Sequence, residues 1–452
     1  MIAHLQIGLL LRMMKAPIDD SSRAAVYLTN SLTGWTEARQ LEINFAELRK
    51  EHDAAQNVKQ QEPIIVILGN PPYYGKAAPV KIEEERALTG AYRETRHPDL
   101  PKPQGQGLND LYVRFFRMAE RKIVEGTKRG VVCYISNYSW LDGLSHSGMR
   151  ERYLDVFDTI YIDSLNGDKY RTGKVIPAGF PGAGESDPSI FSTPFNREGI
   201  QVGTAIATLI RKQEESKGTQ QIHFRNLWGR DKLGQLTAEA AGKASITYET
   251  LTPEARLGLP LMPRLTGAEY LNWSKLPELF PTSFPGVKTS RDSMLVDIDR
   301  DALKKHIDAY FDPNVSHEDM RRINEDVMKP RKRYDALQIR EYLQKRGTRG
   351  EIVRYFYRPF DMRWLYWDGE TKLLDEKRSE YFPHVQPDNM WVEARQRTPT
   401  DIFDRGLFTR NLGDQIGNGM SSYFPLYLFN DVSSKQPQMQ DMFQRTGAGV
   451  LI

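Results

Sequence analysis

The feature that most constrains the fold is an apolar run that leads directly into two prolines. Residues 64–68 read Ile-Ile-Val-Ile-Leu, and Gly69-Asn70-Pro71-Pro72-Tyr73 follows. The run is typical of a strand inside a sheet, and the strand ends there because proline has a fixed φ and no N–H to donate to a neighbouring strand. A polar asparagine therefore follows the carboxyl end of a strand, where open α/β sheets bind their ligands.

The first half of the chain alternates between strand-like and helix-like patterns, which predicts an α/β sheet. The strand-like runs are residues 24–28, 64–68, 131–135, 160–162 and 205–210. Residues 1–14 and 108–124 repeat apolar side chains at helical spacing. Residues 166–200, rich in Gly, Pro, Ser and Asp, predict a long excursion, and loops of that length are usually functional or disordered. Beyond about residue 218 the periodicity weakens, so a second domain of different construction is predicted.

The loop after residues 64–68 has groups that suit a flat ring carrying an amino group. Asn70 offers an amide oxygen, Pro71 a backbone carbonyl and Tyr73 an aromatic face. Two acceptors hold the two amine hydrogens while the aromatic ring stacks on the base. The same pair of acceptors favours a more tetrahedral nitrogen, whose lone pair then points at a methyl donor. A purely structural role, in which the prolines only form the turn that ends the strand, remains an alternative on these residues alone.

Asn70-Pro71-Pro72-Tyr73 resembles the catalytic motif of S-adenosylmethionine-dependent amino methyltransferases, above all the adenine-N6 DNA enzymes. Segments 107–116, 130–141, 157–163 and 202–210 are similar to the helix and strands that follow this motif. Segments 284–292, 357–363 and 424–427 are similar to the specificity region of single-chain Type ISP restriction-modification enzymes. The resemblance extends over nearly the whole chain.

The resemblance implies a Rossmann-like α/β methyltransferase sheet, incomplete at its amino terminus, followed by an α+β target-recognition domain. Residues 1–214 would be the partial methyltransferase domain, 215–260 a linker or transition, and 261–452 the specificity domain. Asn70, Pro71, Pro72 and Tyr73 would be catalytic, with S-adenosylmethionine as cofactor, and Asn30 would approach the cofactor. No glycine-rich cofactor motif precedes Asn70. We therefore expect an internal fragment whose partner is the missing amino-terminal part of the enzyme, and whose catalytic strand is an open sheet edge.

The second half contains a basic, aromatic strip that the overall composition conceals. The chain carries 62 Lys and Arg against 59 Asp and Glu, yet residues 321–363 contain 13 basic and six acidic residues. Such a strip can neutralise phosphates and stack on bases, although a solvated helix face is the alternative. The residues predicted to bind double-stranded DNA are Lys288, Arg291, Arg331, Lys332, Arg333, Arg358 and Arg363.

The predicted function is site-specific adenine-N6 methylation of DNA by a restriction-modification enzyme. A DNA-binding specificity fragment without catalysis is the main alternative, and an RNA or protein-glutamine methyltransferase is the second. A single cysteine, Cys133, excludes an internal disulfide, the eight histidines lack metal-ligand spacing, and no apolar stretch reaches the length of a membrane span. We therefore expect a cytoplasmic protein without a metal or a membrane partner.

Overall fold

A computed structural model describes residues 2–17, 19, 24–27, 29–34, 45–73, 83–103, 106–212, 221–264, 266–267, 269–395, 406–417, 419–429 and 438–439. The chain divides into two compact units, Met1–Gly267 and Ala268–Ile452. No helix among these residues is long and apolar enough to cross a membrane.

The first unit is built on one six-stranded mixed sheet. Its strands are β1 (Val66–Gly69), β2 (Gly130–Asn137), β3 (Thr159–Asn166), β4 (Thr204–Arg211), β5 (Gln221–Asn226) and β6 (Glu249–Leu251), in the order β1-β2-β4-β3-β5-β6. Its helices are α1 (Ile2–Met13), α2 (Ala46–Gln60), α3 (Glu83–Ala87), α4 (Leu111–Glu120), α5 (Ser147–Val156) and α6 (Lys232–Ala240).

Four strands of this sheet run in the same direction. Strands β1 and β2 pair in parallel, as do β3 and β5, and β4 lies antiparallel between β2 and β3. Two antiparallel steps restore the direction, so β2 and β3 are also parallel to each other. The carboxyl ends of β1, β2, β3 and β5 therefore share one edge of the sheet. Loops that follow these strands meet there, and this edge is where a ligand site is expected.

The core beside β2 is dominated by aromatic rings. Phe116 of α4 lies 5.1 Å from Tyr134 and 5.2 Å from Trp140, measured between ring centroids, and Tyr153 of α5 closes the group. All four side chains are buried. Buried aromatic rings contribute large apolar areas, and edge-to-face pairs add to that burial energy. This cluster fixes the strand whose carboxyl end lies next to the Asn70 loop.

The sequence located most of the sheet. The runs at 131–135, 160–162 and 205–210 are confirmed as β2, β3 and β4, the run at 64–68 as β1 shifted by one or two residues, and the amino-terminal helix as α1. The strand predicted at 24–28 is wrong for its described part, because residues 24–27 are irregular. The helix predicted at 108–124 begins at Leu111 and continues beyond α4 as a π-helix, Arg121–Thr127.

The linker predicted at residues 215–260 requires correction. Within it β5 pairs with β3 over six residues, α6 follows, and β6 pairs with β5. Polar and apolar residues alternate along β5, Gln-Ile-His-Phe-Arg-Asn, and only Ile222 and Phe224 are buried. Alternation of this kind marks a strand with one buried face, which a search for continuous apolar runs overlooks.

The excursion between β3 and β4, residues 167–203, is an ordered structure. Asp168 accepts hydrogen bonds from the backbone N–H groups of Tyr170, Arg171 and Gly203. Asp187 is fully buried, accepts from Gly167 N and Gly229 N, and pairs with the equally buried Lys232 at 2.6 Å. Because both buried carboxylates are hydrogen-bonded and Asp187 is also paired with Lys232, they hold the excursion at the carboxyl edge of the sheet.

The second unit combines helices with two four-stranded sheets. Its helices are α7 (Leu276–Leu279), α8 (Asp292–Leu295), α9 (Arg300–Phe311), α10 (His317–Ile323) and α11 (Ala336–Arg346). Its strands are β7 (Phe284–Pro285), β8 (Val296–Asp297), β9 (Glu351–Arg358), β10 (Asp361–Trp367), β11 (Trp391–Ala394), β12 (Leu407–Thr409), β13 (Leu412–Gly413), β14 (Ser422–Pro425), β15 (Tyr427–Leu428) and β16 (Gln438–Met439). The sheet orders are β13-β9-β10-β8 and β12-β11-β14-β7, and β15 pairs with β16.

Candidate functional site

The Asn-Pro-Pro-Tyr loop begins where β1 ends. Gly69 is the last strand residue, and Asn70 is exposed directly after it. Pro71 is buried, Pro72 is exposed and Tyr73 is half-buried. Two consecutive prolines fix two φ angles, so the loop leaves the sheet with little backbone freedom. The predicted catalytic residues are thus adjacent at the ligand-binding edge of the sheet.

Tyr73 folds back over this loop. Its hydroxyl donates a hydrogen bond to Asn70 Oδ1 at 2.8 Å and contacts the carbonyl oxygen of Ile135 in β2 at 3.2 Å. Its ring packs edge-on against Tyr112, with the centroids 6.5 Å apart. Burial raises the pKa of Tyr73 to about 12, so the hydroxyl stays protonated and remains a donor at neutral pH. The acceptor predicted to hold an amine is therefore occupied by the protein's own tyrosine.

Among the described residues, the outer side of β1 is open, as the sequence predicted. In the part of the chain that the structure describes, β1 pairs with β2 alone, and 54% of Val66 and 76% of Leu68 are exposed. Ile67, which points the other way, packs against the core. An edge strand with exposed apolar side chains is a surface on which a further strand can pair.

Asn30 does not approach the Asn70 loop through any described contact. Its side-chain oxygen accepts from Leu32 N at 3.0 Å, which closes a local turn. Its backbone carbonyl accepts from Lys59 Nζ at 2.6 Å. Asn30 is thus engaged in holding its own segment against α2.

Arg291 has a structural position that argues against its predicted contact with DNA. The side chain is 2% exposed, donates to the carbonyl oxygens of Leu373 and Lys372 at 2.6 Å each, and lies 4.0 Å above the Tyr334 ring. Burial lowers its pKa from the ordinary value for arginine. Lys288, in contrast, is partly exposed and forms an ion pair with Asp375 at 2.9 Å.

Arg331, Lys332 and Arg333 form a tight turn. Arg331 and Tyr334 exchange two backbone hydrogen bonds of 2.9 Å, which leaves Lys332 and Arg333 at the tip. Arg331 is paired with Asp326 at 2.5 Å. Lys332 and Arg333 are exposed and have no ion-pair partner among the described residues. These two side chains are the members of the predicted set best placed to contact a phosphate.

Arg358 and Arg363 lie together on the hairpin of β9 and β10. Their guanidinium carbons are 3.9 and 4.2 Å from the centroid of the Tyr357 ring. The Tyr357 hydroxyl donates to Asp292 Oδ2 at 2.8 Å. Arg358 also lies 3.4 Å from Asp414, and Arg363 pairs with Asp361 at 2.8 Å. The sequence placed both arginines correctly in one segment, but it could not show that a tyrosine joins them.

A cavity of about 500 Å³ beside Arg358 was not foreseen. It is lined by Lys288, Thr289, Ser290, Asp292, Ser293, Asp326, Arg358, Asp414 and Ile416. Asp292 accepts from the Thr289 hydroxyl, and Asp414 accepts from the Tyr355 hydroxyl at 2.7 Å. Five of the lining residues lie between Lys288 and Ser293, but the others come from distant parts of the sequence, so sequence spacing could not show that they meet. Across the described ranges, no group of three or more His, Cys, Asp or Glu residues is placed to hold a metal ion.

Comparison with known proteins identifies the carboxyl-terminal part of the chain. Residues 278–447 match the family model of the Type ISP C-terminal specificity domain. No curated protein matches the chain.

Solved structures share the fold over almost the whole chain. One is a nuclease-deletion mutant of the Type ISP restriction-modification enzyme LlaGI in complex with a DNA substrate mimic, with a TM-score of 0.62, 19% identity and coverage of 95% of this chain and 35% of that one. The structure of the DrdV–DNA complex has a TM-score of 0.60 and 20% identity, and the match covers 97% of this chain and 43% of that one. The structure of the ATP-dependent Type ISP restriction-modification enzyme LlaBIII bound to DNA has a TM-score of 0.60 and 19% identity, and the match covers 97% of this chain and 29% of that one.

At these identities the likeness shows a common fold, and the chain spans between 29% and 43% of the length of these three structures. The resemblance to Type ISP enzymes inferred from the sequence is confirmed. Residues 278–447 therefore match the Type ISP C-terminal specificity family, and the chain shares its fold with solved Type ISP restriction-modification enzymes.

Proposed function

We propose that this chain recognises duplex DNA and holds the target adenine for N6 methylation in a Type ISP restriction-modification enzyme. In this proposal, the first unit is the catalytic-loop half of a Rossmann-like methyltransferase sheet. The second unit selects the DNA sequence. The proposed function places the protein in the cytoplasm, as expected from the sequence.

One observation carries the proposal: the Asn-Pro-Pro-Tyr loop follows β1 at the edge shared by the carboxyl ends of four parallel strands. Asn70 and Tyr73 are already within hydrogen-bonding distance there. The match of residues 278–447 to a specificity family supplies independent support for DNA as the partner. The solved Type ISP structures with the same fold are complexes with DNA or a DNA substrate mimic.

The residues of this chain would act on the acceptor base. An adenine amine entering the loop would displace the Tyr73 hydroxyl from Asn70 Oδ1, and the released ring would be available to stack on the base. Asn70 Oδ1 and the Pro71 carbonyl would accept the two amine hydrogens and favour a tetrahedral nitrogen. The amine proton can leave after methyl transfer, so the site needs no general base.

S-adenosylmethionine is part of the proposal as the methyl donor of the intact enzyme. Asn30, the described residue expected to approach the cofactor, is engaged with Leu32 and Lys59, so it does not supply a site for it. We therefore derive no step from the cofactor.

The test is adenine methylation by the full-length enzyme with Asn70→Ala, Asn70→Asp and, as a matched control, Asn137→Ala. Asn137 is the last residue of β2 at this edge, but its side-chain oxygen accepts from Ser139 N at 2.7 Å. Incorporation of methyl groups into duplex DNA should fall at least about a hundredfold in Asn70→Ala and much less in the control. Methylation at the wild-type rate in Asn70→Ala would contradict the proposed mechanism.

A second candidate is a specificity fragment that binds DNA without catalysis. The observation in its favour is that the family match covers residues 278–447 and does not include the Asn70 loop. Calorimetric titration of the chain with duplex DNA and, separately, with S-adenosylmethionine is the first measurement, and binding of both ligands favours the first function. Binding of DNA alone fits either function, and the Asn70→Ala comparison in the full-length enzyme then decides, because methylation that does not depend on Asn70 favours the second.

A further inference from the structure

We propose that Phe360 is a wedge that inserts between stacked base pairs of duplex DNA. The inference rests on the proposed function, because it requires that the second unit binds DNA. It adds a specific contact that neither the family match nor the proposed methylation site assigns.

Phe360 stands at the tip of a short hairpin. The register of β9 and β10 pairs Arg358 with Asp361, so the connection consists of Pro359 and Phe360 alone. The register shifts once between Asp361 and Met362, and the two strands then pair without interruption from Met362 to Trp367. A two-residue turn on paired strands of this length is a stiff support. The Phe360 ring is therefore presented at a fixed place by the sheet.

The backbone of Phe360 is strained. Its φ is +62°, in the left-handed region that costs a residue with a Cβ atom, above all a bulky one. Proline followed by a residue with positive φ is the pattern of a type II turn, in which glycine or asparagine usually holds the second position. Phenylalanine gains nothing conformationally at this position. Strain of this kind is a reason to look for a function of the side chain.

The ring also gains nothing from packing against the residues that the structure describes. Phe360 is 96% exposed, and it belongs to neither the hydrophobic core of the second unit nor the residues packed against it. An exposed phenylalanine forgoes the hydrophobic stabilisation that the side chain provides when it is buried. Exposure and strain together indicate a partner outside the chain.

The surroundings of Phe360 suit a polyanion. Arg358 and Arg363 flank the turn, and about a third of each side chain is exposed, 36% and 35%. Their stacking on Tyr357 holds both guanidinium groups near the base of the hairpin, although Asp414 and Asp361 neutralise part of the charge. Arginines at this place can bond to phosphates on either side of an inserted ring.

An apolar wedge on a stiff support is a known means of kinking DNA. Phenylalanine and similar side chains insert between base steps and partially unstack them. Insertion would bury the exposed ring between bases while the flanking arginines contact the backbone. A kink of this kind would add a cost that depends on how easily the local sequence deforms, and so would contribute to sequence preference.

The experiment compares Phe360→Asn, Phe360→Trp and Phe408→Ala with the wild-type chain. Asparagine tolerates positive φ and removes the ring, whereas tryptophan keeps a ring. Phe408 is the matched control, since it is 69% exposed in β12 of the same unit. Binding to a fluorescent mixed-sequence duplex is measured by anisotropy at several salt concentrations. Insertion is measured as the change in linking number of a plasmid relaxed by topoisomerase in the presence of the chain.

We expect Phe360→Asn to lower affinity about tenfold, to abolish the change in linking number and to leave the salt dependence unchanged, because the lost contact is uncharged. Its melting temperature should equal or exceed that of the wild type, and Phe360→Trp and Phe408→Ala should bind and unwind DNA as the wild type does. Wild-type binding and unwinding by Phe360→Asn would overturn the inference, as would an equal loss in Phe408→Ala. If the chain self-associates and Phe360→Asn abolishes that association, the ring contacts a second copy of the chain, and the inference would be overturned as well. A wild-type chain that binds no duplex at all would instead contradict the proposed function.

Discussion

The hydroxyl of Tyr73 lies 2.8 Å from the side-chain oxygen of Asn70, so the loop proposed to receive an adenine is closed by one of its own residues. The tyrosine hydroxyl satisfies the asparagine when no base is present. A base that enters must exchange this hydrogen bond for its own. The Tyr73 ring and the Tyr73 hydroxyl therefore have opposite effects on binding.

Replacement of Tyr73 by phenylalanine separates these effects. The full-length enzyme with Tyr73→Phe should methylate DNA within about fivefold of the wild-type rate, because an ordinary hydrogen bond is worth about 1 kcal/mol net and its loss exposes Asn70. Tyr73→Ala also removes the stacking ring and should lose about tenfold or more in kcat/KM. Steady-state methylation of one duplex substrate measures both variants. Equal rates in the two variants would show that the ring does not stack on the base.

Arg291 and the pair Lys332 and Arg333 should respond to substitution in opposite ways. Arg291→Ala removes the guanidinium donor from the carbonyl oxygens of Leu373, in a buried hydrogen bond, and Lys372, in a partly buried one, so the free energy of unfolding should fall by roughly 2–4 kcal/mol. Lys332→Ala with Arg333→Ala should leave unfolding unchanged and should reduce the slope of log K against log salt by about two. Urea denaturation and salt-dependent anisotropy are the two measurements. A reduced salt slope in folded Arg291→Ala would restore that residue as a DNA contact.

His146 should make the first unit less stable in acid. Burial, and then the nearby Arg150 charge, lower the pKa of His146 to about 3, whereas the unfolded value is about 6.5. Between these values the unfolded chain binds a proton that the folded chain does not. The free energy of unfolding should therefore decrease by about 1.4 kcal/mol for each pH unit below about 6.5.

The control for this effect is His146→Gln, which has no proton to bind and keeps a polar group near the Tyr112 hydroxyl, 3.3 Å from His146 Nε2. Other groups titrate in both proteins, so the difference between the two unfolding curves is the relevant quantity. A difference that does not change between pH 6.5 and pH 4 would mean that His146 is accessible to protons in the folded state.

The open side of β1 should govern the solubility of the chain. Leu68→Lys places a charge on an already exposed side chain, so light scattering at high protein concentration should decrease while the melting temperature stays constant. Ile67→Lys is the matched control on the inward face. It should destabilise the unit, since a lysine there meets the hydrophobic core. Unchanged scattering in Leu68→Lys would show that association uses another surface.

The sequence could predict which residues belong to the candidate site, but it could not predict what surrounds each of them. The Asn70 loop could be predicted because a strand and two prolines are local signals. The sequence predicted the same contact with DNA for Arg291 and Arg358, yet one lies in the core and the other on a hairpin. That difference depends on the carbonyl oxygens of Lys372 and Leu373, about 80 residues away. Contacts over such separations leave no trace in local composition.

Strand prediction failed for a related reason. Residues 24–27 are as apolar as a strand but pair with none in the described structure, whereas β5 contains Gln, His and Arg and still completes the sheet. Pairing depends on a neighbour at the correct distance and direction, which an isolated pattern does not contain. Strands β2, β3 and β4 were found because one face is buried and the other is at least half-buried over much of each strand, so each contains an apolar run.

The one-sided pairing of β1 has a consequence for the precision of catalysis. Four residues hydrogen-bonded to a single neighbour are at the low end of local stability, and Asn70 is attached directly to the last of them. Positional fluctuations of the strand are therefore transmitted to Asn70 Oδ1, and a misplacement of about 1 Å can cost roughly a hundredfold in rate. Any strand that pairs with the outer side of β1 would reduce the positional entropy of Asn70. Assembly at that edge and the rate of reaction would then be thermodynamically coupled, although the paired strand never touches the base.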